Sequence, residues 1–347
     1  MNKVRFPQIT EILAITLVGT LAYTQPLSSW IQIRSNTNSS LFKTNSLWIG
    51  TKEENISFVD VVKTSQVKQA KTYFKQATYK EEAGDYPGAL QNLTQAIRLN
   101  PAYAEAYSKR CGIWANLENY SQALEDCNRA LQLNPHYVNA HYNRGLAYKG
   151  LGNQAAAFRD YSEAIRLNAN FGYALINRGN LRQELGDFKG AIEDYTQAIH
   201  LYADQTCLRC GYTERGHAFF QLKEYTKAVE NYTQALSLAP ADATLYLKRG
   251  EAHYALKDYR PALEDYSQVL KLEPSSGLAY YARGQVQAEL RDYQKAEQDF
   301  SRALQNGYQP SLTYRRRAQV RGYLGDKQGS NSDYRKAVEY TTNLRGV

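Results

Sequence analysis

The sequence lacks the motifs by which most enzymes and metal proteins are recognised. It has no glycine-rich phosphate loop, no serine-centred nucleophile turn and no helix with a His-Glu metal motif. Its five histidines are scattered, and Cys207 and Cys210 have no second cysteine pair at metal-ligand spacing. Its carboxylates recur in regular columns, so no two stand out as an acid and a base. The sequence therefore predicts a protein that is not an enzyme and holds no metal or cofactor.

The signs of general disorder are also scarce. Only 22% of the residues are charged, and the chain of 347 residues has nine prolines. Apolar residues make up 43% of the sequence, and 29 residues are tyrosine. A chain of this composition can bury a continuous apolar core, so most of it is expected to fold.

The longest apolar run near the N-terminus is short for a membrane span. It extends from Ile9 to Tyr23, after Lys3 and Arg5, and a polar stretch follows it. This arrangement resembles a secretory signal, although an uncleaved anchor, or neither, remains an alternative. We expect residues 1–23 to be a signal peptide or an N-terminal membrane anchor, and the protein to be exported or membrane-anchored rather than cytoplasmic. Residues 24–69 read as a polar, disordered linker, although a capping helix over Ile56 to Lys68, ahead of the first repeat, is the alternative for its last part.

The sequence does have a repeat of 34 residues, which begins near Ala70 and extends almost to the C-terminus. A column of small residues recurs at this period, with one longer step between Gly179 and Gly216. Within each repeat an Ala, an aromatic and a second Ala column follow it, four and then three positions apart, so they share one face of a single helix. The small column consists of Ala77, Cys111, Gly145, Gly179, Gly216, Gly250, Gly284 and Ala318. A period of this size is typical of a solenoid.

Each repeat reads as two helices joined by a turn. An Asp or Asn in the turn, such as Asp85 or Asp187, is predicted to cap the second helix, and Pro101 or Pro135 stops it. These columns resemble the tetratricopeptide repeat. The resemblance implies an all-α, right-handed α-solenoid of stacked antiparallel helix pairs, in which the first helices line a concave groove that binds peptides, helices or folded partners. The eight repeats span residues 70–344: 70–103, 104–137, 138–171, 172–208, 209–242, 243–276, 277–310 and 311–344.

The predicted partner-binding residues come from the first helix of each central repeat. Residues three before, one after and four after the small column share a helix face, which the resemblance assigns to the groove. They mix aromatic, aliphatic and amide side chains, which suits an extended peptide or a helix of a partner protein. For Tyr254 and Tyr281 the alternative is packing against neighbouring repeats. The set is Tyr142, Leu146, Lys149, Ile176, Asn180, Gln183, Thr213, His217, Phe220, Leu247, Glu251, Tyr254, Tyr281 and Gln285.

The net charge of +8 is concentrated near the two ends of the chain, and the clearest cluster is Arg315, Arg316, Arg317 and Arg321. This basic end could contact an acidic partner, nucleic acid or an anionic membrane, or it could be a solvated terminal face. Nucleic acid is the less favoured partner, because basic residues do not extend across many repeats. A membrane contact through the N-terminal segment stays possible, and the oligomeric state is open.

A further pattern pairs an Arg on the first helix with an Asp or Asn on the second. The Arg precedes the small column in seven repeats, and the Asp or Asn stands directly before the aromatic column, as in Arg178 and Asp194. We expect a ladder of charge-assisted hydrogen bonds within or between repeats. The alternative is that these arginines face a ligand, although groove residues usually vary between repeats and these do not.

The cysteines pose two separate questions. Cys111 and Cys127 occupy the small and aromatic columns of one repeat, so the resemblance places them close together, as buried thiols or as a disulfide. Cys207 and Cys210 fall where the repeat step lengthens, in or beside an irregular connection. They are inert thiols, a local disulfide, or a redox or metal half-site.

Overall fold

The computed structural model describes residues 58–201 and 205–343. The predicted signal or anchor, residues 1–23, and the linker up to residue 57 lie outside the described residues. The chain divides between Thr72 and Tyr73 into two units, and the repeats from Tyr73 onward belong to the second. Among the described residues, no helix is long and apolar enough to cross a membrane.

The described residues form sixteen helices and no strand, which confirms an all-α solenoid of consecutive helix pairs. In each pair a three-residue turn joins the first helix to the second. The helices are α1 (Phe58–Glu82), α2 (Tyr86–Leu99), α3 (Ala104–Asn116), α4 (Tyr120–Leu133), α5 (Val138–Gly150), α6 (Gln154–Leu167), α7 (Gly172–Glu184), α8 (Phe188–Leu201), α9 (Gln205–Gln221), α10 (Tyr225–Leu238), α11 (Ala243–Ala255), α12 (Tyr259–Leu272), α13 (Gly277–Glu289), α14 (Tyr293–Gln305), α15 (Pro310–Tyr323) and α16 (Lys327–Asn343).

The two helices of a pair meet where the small column faces the aromatic column. At Gly179 an added Cβ would lie 2.7 Å from the ring of Tyr195, which is fully buried. An added Cβ at Gly145 would likewise lie 2.6 Å from the ring of Tyr161, so neither glycine position has room for a side chain. The close approach of the helices therefore explains why glycine recurs in this column.

The second pair closes the same contact covalently. Cys111 and Cys127, both fully buried, form a disulfide between α3 and α4. Of the two alternatives for these cysteines, the structure therefore has the disulfide. The disulfide stands at the position where the small column meets the aromatic column in later pairs.

The predicted capping column is only partly confirmed. Five of its side chains accept a hydrogen bond from the backbone N–H three residues later, at 2.8–3.4 Å: Asp85, Asn153, Asp187, Asp292 and Asp326. Asn119, Glu224 and Asp258 make no such bond. The turn has the same length at all eight positions, so the cap contributes to the helix start without deciding it.

The structure settles two boundaries between the predicted segments. Helix α1 begins at Phe58, so of the two alternatives for residues 58–69 the structure has the helix and not the linker. Helix α9 has 17 residues and includes Cys207 and Cys210 near its start, so these cysteines lie beside the connection and not in it. Alanine stands at position 203, where other repeats have a proline that stops or delays a helix. The longer repeat step thus extends the first helix of the fifth pair.

Candidate partner-binding face

The repeated Arg and Asp columns form an internal ladder, as predicted. In six pairs the Arg Nε and Nη2 groups donate to both carboxylate oxygens of the Asp before the aromatic column, as Arg178 does to Asp194 at 3.0 and 2.6 Å. Parallel hydrogen bonds between two ionised groups fix the geometry as well as the energy of the contact. The pairs are Arg110–Asp126, Arg144–Asp160, Arg178–Asp194, Arg249–Asp265, Arg283–Asp299 and Arg317–Asp333.

The same arginines also join each pair to the one before it. In Arg178 the third nitrogen, Nη1, donates to the hydroxyl of Ser162 on the preceding second helix, at 3.3 Å. Arg249 makes the equivalent bond to Thr233 and Arg317 to Ser301. The ladder therefore has its Arg–Asp pairs within a helix pair, and across the stacking interface the same arginines bond to other polar side chains. We call the seven arginines of this column and their partners the Arg–Asp ladder.

Two positions of the ladder differ from the rest. Arg215 faces Asn231, which accepts one bond at 2.8 Å, and burial lowers the pKa of Arg215. At Asp160 the ladder gains His141, whose Nδ1 lies 3.3 Å from the carboxylate and whose Nε2 lies 2.9 Å from the carbonyl of Pro135. Although burial acts against it, these two hydrogen bonds raise the pKa of His141. Burial likewise acts to raise the pKa of Asp160, but Arg144 and His141 hold it below its ordinary value.

The fourteen predicted groove residues lie on the first helices α5, α7, α9, α11 and α13, and we call them the open face. Twelve of them are half-buried, Glu251 is exposed, and Tyr281 is buried. Most of the face is thus accessible, although its side chains also touch one another and the neighbouring helices.

Aromatic packing accounts for part of this burial. The ring of Tyr142 meets Phe171 edge-on at 5.2 Å, and Phe220 meets Tyr225 at 5.3 Å. Tyr254 lies 6.0 Å from Tyr259, so it packs against the next helix but stays partly accessible. Aromatic pairs at these distances are held in place before any partner arrives.

Tyr281 is corrected from a groove residue to a packing residue. Its side chain is 6% exposed and packs on Phe300 at 5.7 Å and on Tyr308 at 5.1 Å. The loop residue Tyr308 covers it, and helix spacing gives no signal of that contact because Tyr308 lies in the loop after the second helix of the pair. Of the alternatives for Tyr281, packing is therefore the one found.

The polar residues of the open face bond along it. Lys149 Nζ lies 3.0 Å from Glu184, and Gln183 Nε2 lies 3.5 Å from Glu214. Asn180 accepts a hydrogen bond of 2.7 Å from the hydroxyl of Tyr195. Burial, together with Lys248, lowers the pKa of His217, which favours its neutral ring. The centre of the face is thus amide-rich and close to charge-neutral.

The predicted basic end separates into two kinds of arginine. Arg317 belongs to the ladder, and Arg321 bonds to Glu297 and to Asp333 at 2.8–3.0 Å. Arg315 and Arg316 are exposed. Only two of the four arginines therefore stay available to a partner, which weakens the support for a broad basic surface.

Cys210 is a free, half-buried thiol on α9, and the side chain of Cys207 lies outside the described residues. The structure thus shows no disulfide at Cys210, and the redox alternative for the two cysteines stays a prediction. Among the described residues there is no group of three or more His, Cys, Asp or Glu side chains that could hold a metal ion.

Comparison with known families finds the same repeat. A family model described as a TPR repeat matches residues 116–152 and 216–257. Two further models, each described as a tetratricopeptide repeat, match residues 247–309 and residues 138–171 and 173–205. Together the matches cover more than half of the 347 residues. No curated protein matches the chain in sequence.

Solved structures support the fold. The C-terminal part of a TPR repeat-containing protein from Cytophaga hutchinsonii is similar with a TM-score of 0.58 and 17% identity, over 67% of this chain and 94% of that one. Pseudomonas aeruginosa pilF is similar with a TM-score of 0.52 and 17% identity, over 65% of this chain and 97% of its own. At these identities the likeness concerns the fold alone.

Proposed function

The chain belongs to the tetratricopeptide repeat family, and on that premise we propose that it is a non-enzymatic scaffold whose open face binds a peptide or a helix of a partner protein. The observation that carries this proposal is a contrast within each central helix pair between the columns that make internal contacts and the open face. The residues of the small, aromatic and ladder columns make internal contacts, and their residue types change little from pair to pair. The open face varies from one pair to the next and stays accessible.

The chemistry of the open face favours a polypeptide ligand. Half-buried Ile176 and Leu247 offer apolar contact, and the amides of Asn180, Gln183 and Gln285 can bond to a peptide backbone. Phe220 and Tyr254 are already held by neighbouring rings, so little side-chain freedom is lost when a ligand binds. Such anchors beside a polar rim are typical of protein interfaces.

The proposal can be tested by selecting random peptides of twelve residues against the full-length chain. The variant Thr213→Trp with Gln285→Trp fills the open face without a change of charge. The matched control is Thr226→Trp with Gln298→Trp, because both of those residues are exposed on second helices. We expect the first variant to lose the selected peptides and the control to keep them. Equal binding by both folded variants would contradict the proposal.

We propose in addition that the protein is exported or held at a membrane. The buried Cys111–Cys127 disulfide supports this, since disulfides persist in oxidising compartments and are rare in the cytosol. Lysis of cells in denaturant that contains a thiol-alkylating reagent, followed by mass spectrometry without reductant, should find Cys111 and Cys127 bonded to each other and the free Cys210 alkylated. Alkylated Cys111 and Cys127 in the natural host would contradict this localisation.

A further inference from the structure

The exposed arginines of the last pair occupy columns of the open face. Arg315 stands three residues before Ala318, where earlier pairs have Ile176 and Leu247. Arg316 stands two residues before Ala318, the position of Asn177 and Lys248 in earlier pairs. On α15 these arginines therefore continue the open face to the C-terminal end of the solenoid, rather than forming a separate terminal patch.

Contacts in the central pairs show that the second of these columns belongs to the same face. The amide of Asn177 donates to the hydroxyl of Tyr142, an open-face residue of the preceding pair, at 3.2 Å. Gln183 of the open face reaches Glu214, which stands in that column in the fifth pair. A residue two before the small column therefore lies beside the open face of its neighbour.

Arg316 itself lies within electrostatic reach of Tyr254 on α11. Burial raises the pKa of Tyr254, Glu289 acts in the same direction, and Arg316 acts against both. The guanidinium of the last pair, the carboxylate of the seventh and the phenol of the sixth thus act on one region of the open face. Arg316 and Glu289 form no ion pair within 4.0 Å among the described residues.

Arg315 and Arg316 have no carboxylate partner in the described part of the chain. Arg316 donates only to the Gln319 side chain on its own helix, at 3.3 Å, and Arg315 makes no ion pair there. Their neighbours Arg317 and Arg321, in contrast, are bonded to Asp333 and Glu297. Half-exposed Leu312 and exposed Tyr323 border the same helix face with apolar surface.

We propose that this end of the open face binds an acidic segment of the partner protein, with Arg315 and Arg316 contacting its carboxylates. This inference rests on the proposed function, since it gives the chemistry of the ligand at one end of the same site. The planar guanidinium donates to both oxygens of a carboxylate, which makes arginine well suited to this contact. Apolar residues of the segment contact Leu312 and Tyr323, and its remainder runs toward the amide-rich centre.

The peptide selection described above tests this proposal when it is repeated on Arg315→Gln with Arg316→Gln. The matched control is Arg302→Gln with Arg335→Gln, two exposed arginines on second helices. We expect Asp and Glu to be enriched in peptides that bind the natural chain, and the enrichment to vanish only with the first variant. Fluorescence anisotropy with a selected peptide should show about tenfold weaker binding to that variant. Replacing the acidic residues of the peptide by amides should have a similar effect.

The outcomes separate this inference from the proposed function. Peptides that Thr213→Trp with Gln285→Trp blocks, but that show no acidic enrichment, would overturn this inference alone. If no face-dependent peptide is selected, both proposals fail. A single-stranded oligo-dT of twenty nucleotides and vesicles containing phosphatidylserine serve as further probes. Binding of either probe that depends on Arg315 and Arg316, without acidic peptides, would assign these arginines to nucleic acid or membrane instead.

Discussion

On the first helices of the five central pairs the ladder arginine and the open face lie a few residues apart, yet the repeat uses them in different ways. Arg178 donates hydrogen bonds to Asp194 and to a hydroxyl of the preceding pair. Ile176, two residues earlier, is half-buried and varies in kind between pairs. The contrast teaches that a residue type that recurs at every period serves stacking, whereas variation marks the surface left for recognition.

The largest effect that would test this contrast is expected at Asp194. It is 3% exposed and also lies 3.0 Å from Arg182, so Asp194→Ala removes the buried carboxylate that Arg178 and Arg182 share. We expect a loss of about 3–5 kcal/mol in the free energy of unfolding. The control Glu193→Ala, an exposed neighbour on the same helix, should change it by less than about 0.5 kcal/mol. Urea unfolding measures both, and amide exchange should show the loss centred on α7 and α8. Equal effects of the two substitutions would mean that the ladder does not stabilise stacking.

The next effect concerns the pair in which a disulfide stands beside the ladder. Cys111 and Cys127 follow Arg110 and Asp126 directly, so both links join α3 to α4. Cys127→Ser should cost about 3 kcal/mol, as expected for a loop of this length. The free Cys210→Ser serves as the matched control, with a small expected change. Thermal unfolding with and without reductant checks this. Insensitivity of the natural chain to reductant would show that the ladder alone holds the pair.

A smaller effect, of opposite sign, is expected where the ladder is incomplete. Asn231→Asp would give Arg215 the ionised, two-oxygen partner that it lacks, at the loss of the Asn231 bond to the Lys227 carbonyl. We expect a gain of about 1 kcal/mol. The reverse substitution, Asp265→Asn, should weaken the sixth pair and serves as the mirror control. A loss of stability in Asn231→Asp would show that the fifth pair is built around the amide.

The smallest effect is a pH dependence at His141. Its folded pKa lies above the ordinary value, so its contribution is fully present below about pH 6.5 and is lost as pH rises through the folded pKa. The groups that face it are Asp160, Arg144 and the Pro135 carbonyl. His141→Gln should therefore be less stable than the natural chain at pH 5.5, with the difference shrinking toward pH 8. A difference that grows with pH would contradict this interpretation.

Much of the architecture was readable from the sequence, because its causes are local. The repeat period, the glycine column and the Arg–Asp spacing follow from helix geometry within one repeat, and all three appear in the structure. The predictions fail where a side chain from another helix or loop determines whether a residue is buried or bonded. Tyr281 is covered by Tyr308 from the following loop, and Arg321 is bonded to Glu297 of the preceding pair. The sequence left the helical start of α1 at Phe58 as one of two alternatives, because the polar residues there show no apolar period.

The sequence by itself determined the helix pairs, their number and the residues that hold them together, since spacing along one helix sets which side chains share a face. Only the tertiary structure decided which members of that face remain accessible. It also decided that Cys111 and Cys127 are bonded and that Arg315 and Arg316 are left without a carboxylate. Accessibility and pairing depend on contacts between side chains of different helices and loops, and spacing along one helix does not give those contacts.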